Sequence, residues 1–251
     1  MEQHGQVRWR RLPHWDLPGA TYFVTTCLEG SIPAEGKLRL AELRATFSSW
    51  QIAAATGPRM DSWKQLFVES EKWLDGGPAV RFLENRDLAR IVMNAFYHWA
   101  GQLYDLLAYV VMPSHIHWVF RPLEQVAVGQ VPNLPGNATE AGRLETRPTR
   151  TGRLKTYPTR SPRERIMHSI KRYTARECNR LLKRMGRFWQ EESYDHCVRD
   201  DGELERIIYY VENNPVKGGL VESAALWEFS SARDRASLGL LPGQPLTTPA
   251  G

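Results

Sequence analysis

The chain has 251 residues, 42% of them hydrophobic and 24% charged, with a net charge of +5. This is an ordinary soluble globular composition, enough for one good core or two small ones. No stretch approaches the ~18 apolar residues of a membrane span, and "MEQHGQVRWRRLPHW" contains no apolar signal core. Cys27, Cys178 and Cys197 are scattered and form no CxxC pair, which argues against a disulfide framework or thiolate zinc knuckle and fits a reducing cytoplasm.

In chain order, "ATYFVTTCL" (20–28), entered from "LPG", reads as a β-strand. Residues 37–74 read as helical pieces broken at "TGPR" (56–59), and "DGGP" (75–78) resets the chain. From Asn85, Leu88, Ile91, Val92, Ala95, Phe96 and Trp99 recur at helical spacing, which predicts an amphipathic helix. "YDLLAYVVM" (104–112) is an apolar run of strand length. The turn at Pro113-Ser114 leads into "HIHWVF" (115–120), giving an antiparallel pair. Alternation along that strand puts His115, His117 and Val119 on one face and Ile116, Trp118 and Phe120 on the other. Two imidazoles side by side can hold a metal between them, or can be two ordinary histidines of a solvent-facing strand.

Next, "AGRLETRPTR" (141–150) is followed directly by "TGRLKTYPTR" (151–160), identical at seven of ten positions. Rich in Thr, Arg, Pro and Gly, it cannot bury a core, so residues at about 124–160 read as a flexible basic insertion. From Arg143 to Arg187 the chain carries fifteen Lys/Arg against three Asp/Glu, which leaves the remainder net acidic. A block so placed suggests a polyanionic partner.

"SPRE" predicts a capped helix start, with Ser161 as N-cap, Pro162 first in the helix and Glu164 completing the capping box. On that helix Arg165, Arg172, Arg176, Arg180, Lys183 and Arg187 fall in a stripe roughly 80° wide with no acidic residue in it, and Lys171 is a further candidate DNA contact. The pattern suits phosphate contacts. "RFWQEESYDHCVRD" (187–200) reads as an edge strand and turn. "DGELERIIYYVENNPVKGGLV" (201–221) reads as a helix ended by Pro215 and Gly218-Gly219. There Tyr210 and Asn214 are one turn apart on one face, either as functional groups or as amphipathic packing and a C-terminal cap. Tyr209 is turned about 100° away, toward core or sheet.

The series "LPHWDLPGATYFVTT", "YVVMPSHIHWVF", "SIKRYTARECNRLL", "GRFWQEESYDHCVRD", "YYVENNPVKGGLV" and "WEFSSA" resembles the REP-associated tyrosine transposases. These are single-tyrosine relatives of the HUH-type transposases that cut single-stranded DNA. The resemblance runs from about Arg10 to Ala232, outside the insertion. It implies a ferredoxin-like or RRM-like α/β (α+β) fold, a central antiparallel sheet with helices mainly on one face. It implies that His115 and His117, with Asn214 as third ligand, hold Mg²⁺ or Mn²⁺. It also implies that Tyr210 is the nucleophile, forming a 5′-phosphotyrosine link to hairpin or single-stranded DNA. Tyr194 is a rival nucleophile on chemistry alone, and no general base is evident. Arg199 and Lys217 are expected as phosphate contacts at the site mouth, and His196 as either a DNA contact or a structural hydrogen-bonding group. The expected organisation is one nuclease domain (1–238) with a disordered tail (239–251), monomeric or homodimeric, cytoplasmic and nucleoid-associated. A non-cleaving, domesticated hairpin binder and an unrelated metallohydrolase are the alternatives.

Overall fold

The computed structural model describes residues 6–9, 13–17, 19–53, 60–123 and 161–246; the tandem-repeat insertion lies outside them. Strands are β1 (Gln6–Trp9), β2 (Pro13–Asp16), β3 (Tyr22–Cys27), β4 (Tyr104–Val111), β5 (His115–Pro122) and β6 (Tyr194–Cys197). Helices are α1 (Ala34–Ala53), α2 (Met60–Asp75), α3 (Arg86–Trp99), α4 (Pro162–Leu181), α5 (Asp201–Lys217) and α6 (Ser231–Leu238). β4, β5, β3 and β6 form one antiparallel sheet in that order, the mixed α/β architecture expected. β1 and β2 pair as a separate ribbon that the sequence reading did not anticipate.

Period-two alternation decides what each sheet face meets. Tyr22, Val24, Ile116, Trp118 and Phe120 bury one face against α3 and α4, in a cluster with Val92, Phe96, Ile166 and Ile170. Phe23, Val110 and Val119 bury the other against Ile208 and Val211 of α5, with Phe67 of α2 packed beside them. Helices therefore cover both faces rather than mainly one. The reason is that β3, β4 and β5 are buried on both sides, as strands inside a three-layer stack must be. A bulge in β4 between Leu106 and Ala108 lets Leu107 join the α5 side.

Helix starts follow local chemistry. Asn85 accepts from Asp87 N at 2.9 Å, and Ser161 and Glu164 close the capping box in both directions. α1 packs closely on α2 at Gly36, where a Cβ would lie 2.8 Å from the Trp73 ring. α5 runs through Pro215 to Lys217 instead of ending at the proline. Pro215 still accepts, taking Leu220 N at 2.9 Å.

Residues 239–246, expected in a disordered tail, are placed. Leu246 is buried, and its N–H donates to Leu106 O at 2.7 Å. With it, the segment from Phe229 runs along the outer edge of β4. Val111 N donates to Phe229 O, Tyr109 N to Ser231 Oγ, and Arg235 Nη2 to Leu107 O. The remainder of the tail, 247–251, lies outside the described residues. No helix among the described residues is long and apolar enough to cross a membrane.

Candidate metal and nucleophile site

The HxH strand places its two imidazoles as alternation requires, on the α5 side of the sheet, both buried. Their ring centroids are 4.7 Å apart. Each Nδ1 is occupied by a neighbouring hydroxyl: His117 by Thr25 Oγ1 at 2.7 Å, His115 by Ser114 Oγ at 3.0 Å. Each Nε2 is buried without a hydrogen-bond partner. Rings pinned through one nitrogen with the other left bare are the arrangement that metal-ligating histidines adopt.

The third member comes from α2, and sequence reasoning missed it. Glu71 brings its carboxylate to the histidines, Oε2 lying 3.6 Å from His117 Nε2, and ligand atoms of Glu71, His115 and His117 all lie within 4.8 Å of one another. Glu71 Oε1 has no hydrogen-bond partner. A signal was present: Leu66, Phe67, Ser70, Glu71 and Leu74 share the inward stripe of α2, so a carboxylate stands where the period demands an apolar residue. Burial alone would raise its pKa, but the His117 and His115 imidazoles and the Tyr210 hydrogen bond outweigh that and hold it at about 2. Burial and its neighbour His117 push His115 down to about 3, so its nitrogen lone pair is available at neutral pH.

Tyr210 enters from α5. Its phenol donates to Glu71 Oε2, and its ring packs edge-on against Phe23, Phe67 and His117. Burial and the Glu71 charge push the phenol far above its usual pKa, so it rests protonated. One turn on, Asn214 is 1% exposed, and neither its Nδ2 nor its Oδ1 has a hydrogen-bond partner. Glu71 Oε1 and the two histidine Nε2 atoms thus lack hydrogen-bond partners within one cluster, and the two amide atoms of Asn214 lack them on the helix that carries Tyr210; native interiors tolerate such atoms only where something else satisfies them. Glu71, His115 and His117 together form a mixed N/O donor set that could hold a metal ion.

The other tyrosines are elsewhere. Tyr209, expected against core or sheet, is 70% exposed, because α5 turns only its Tyr210 side inward. Tyr194 is buried, its hydroxyl accepting from Arg44 Nη2 at 3.2 Å and its pKa pushed by burial up to about 12. His196 pairs with Glu203 of α5 at 3.1 Å, and Arg199 grips the same carboxylate through two nitrogens at 3.0 and 2.6 Å. Lys217 pairs with Asp75 at 2.8 Å, and its Nζ lies 5.9 Å from the Tyr210 ring centre.

The basic stripe differs from its sequence reading in three ways. α4 ends at Leu181, so Lys183 (φ 50°) and Arg187 lie beyond the helix. Glu177 reaches into the stripe and takes Arg176 at 2.9 Å and Arg180 at 3.1 Å, while Glu191 takes Arg187 at 3.3 Å. Lys171 turns inward to Gln190 O, Glu191 O and Ser193 Oγ, with burial lowering its pKa to about 8, and Arg165 is half-buried. Arg172 and Lys183 are exposed and make no ion pair among the described residues. α4 also covers the sheet face opposite the histidines. A groove of about 520 Å³ between α4 and residues 186–193 lies on that side, away from the metal cluster.

No family profile matches the chain. A curated Haemophilus influenzae protein named as a REP-associated tyrosine transposase is 37% identical over 65 residues, which is 24% of this chain and 37% of the relative. The chain thus spans little more than a third of that relative's length. A solved structure described as a REP-associated tyrosine transposase bound to a REP hairpin aligns over 97% of this chain and 94% of its own, at 14% identity and a TM-score of 0.48.

Proposed function

We propose that the chain is a metal-dependent, single-strand-specific DNA endonuclease and strand transferase of the REP-associated tyrosine transposase type. The observation that carries this reading is the meeting of Tyr210 with the Glu71–His115–His117 cluster, a phenol hydrogen-bonded to the carboxylate that faces two bare imidazole nitrogens. The curated relative's name and the HxH, "FWQ…YDH…R" and "YxxxNPVK" motifs support it.

His115, His117, Glu71 and Asn214 would hold the cation. What such a cation supplies is polarisation of the scissile phosphate and stabilisation of the charge that builds on it. Tyr210 supplies the nucleophile: its phenolic oxygen bonds to phosphorus, the phosphorus–O3′ bond breaks, and the phenol loses its proton as the 3′-hydroxyl gains one. A 5′-phosphotyrosine conserves the phosphodiester energy, so the strand can be rejoined without a nucleotide cofactor. Phe23, Phe67 and His117 fix the ring that carries the attacking oxygen.

The experiment is to incubate the protein with a REP-like hairpin oligonucleotide carrying a single-stranded flank, with and without Mn²⁺, and resolve the products on a denaturing gel. A covalent protein–DNA species dependent on Mn²⁺ is expected. Hairpin binding without that species would reduce the protein to a DNA-binding module.

A further inference from the structure

Glu71 serves two groups at once. Its Oε2 accepts the Tyr210 phenol and faces His117 Nε2 at 3.6 Å, while its Oε1 is buried without a partner. The carboxylate has little freedom to serve them in turn. Phe67, one turn earlier on α2, packs on the Tyr210 ring at 5.7 Å, and Leu66 and Leu74 anchor the same helix in the cluster that contains Cys27 and Tyr194.

We infer that Glu71 is a positioning residue that latches the Tyr210 phenol and trades that latch against the divalent cation, so that metal uptake and nucleophile release are one linked event. A carboxylate that accepts a phenol hydrogen bond has given up part of the electron density a cation would use. The phenol therefore weakens metal binding, and by reciprocity the cation weakens the hold on the phenol by the same factor. While Glu71 accepts the phenol, the attacking oxygen stays tied to α2; with the carboxylate engaged by a cation, that tie would be loosened. The role given to Tyr210 rests on the nuclease reading, whereas the linkage itself concerns only this carboxylate, this phenol and a cation.

The test is a double-mutant cycle on Mn²⁺ affinity, measured by calorimetry on the full chain without DNA. Tyr210→Phe removes the donor and keeps the ring, so it should tighten Mn²⁺ binding about tenfold, the scale of a hydrogen bond to a charged group. In Glu71→Gln, which should bind Mn²⁺ more weakly, adding Tyr210→Phe should change affinity by no more than about twofold. A second measurement leaves Glu71 intact: 3-fluorotyrosine placed at position 210 should shift its ¹⁹F resonance on saturation with Mg²⁺. An equal effect of Tyr210→Phe in both backgrounds, no effect in the parent, or a fixed ¹⁹F resonance overturns the linkage. A protein that takes up no Mn²⁺ overturns the metal reading and the linkage together. Coupling observed in a protein that never attaches to hairpin DNA upholds the linkage and overturns the nuclease reading.

Discussion

Thr25 Oγ1 lies 2.7 Å from His117 Nδ1, and the two residues face each other directly across β3 and β5. The hydroxyl fixes both the ring plane and the nitrogen turned toward Glu71. Thr25→Val keeps the volume and removes the oxygen. Metal affinity should fall about 10- to 100-fold, the usual worth of such a partner, with the fold retained. Calorimetry with Mn²⁺ checks this, and an unchanged affinity would show that packing alone orients the ring.

His115→Ala or His117→Ala should abolish both Mn²⁺ uptake and formation of the covalent species. Hairpin affinity should survive, because neither side chain reaches the surface. Filter binding beside the gel separates the two. Full nicking by either variant would remove the histidines from the metal site.

Tyr210→Phe should eliminate the covalent DNA species, while Tyr209→Phe and Tyr194→Phe retain it. Tyr209 is exposed on α5 and Tyr194 is held by Arg44, so neither shares the Glu71 contact. Mass spectrometry of the trapped adduct identifies the modified residue directly.

Arg172→Ala with Lys183→Ala should weaken hairpin binding and flatten its salt dependence by about 0.7–0.9 log units of slope per lost phosphate contact. Arg176 and Arg180 already hold Glu177, so replacing them should matter less. Glu177→Gln should instead strengthen binding. Affinities measured across a salt series test all three, and identical slopes would leave the stripe as a solvated surface.

Stability should depend on Glu203. Burial opposes its charge, but Arg199 and His196 more than compensate, and its pKa falls from the usual 4.5 to about 2. A depressed carboxylate contributes stability that is fully present above about pH 4.5 and is lost as pH falls toward 2. Glu203→Gln should therefore have a lower melting temperature at pH 6 and a flatter decline between pH 5 and 3. Parallel curves for variant and parent would mean that the ion pair is fully screened.

What the sequence made legible lies within a single structural period. His115, His117 and Val119 follow from two-residue alternation, and Tyr210 with Asn214 from one helical turn; the Ser161–Glu164 box follows from local capping. Glu71 was hidden because its contact with His117 depends on how α2 docks on the sheet, a long-range relationship that no local pattern carries. The end of α4 was misread because Lys183 adopts a left-handed conformation with no glycine at that position to announce it. The basic stripe looked unopposed because Glu177 lies just outside it on the wheel but has reach enough to enter it.

The segment from Phe229 to Leu246 has a consequence for how copies of this chain can meet. It satisfies Val111 N, Tyr109 N, Leu107 O and Leu106 O of β4. An incoming strand finds these four groups already occupied. Sheet-to-sheet pairing of two copies along this stretch of β4 would first have to displace the Phe229–Leu246 segment.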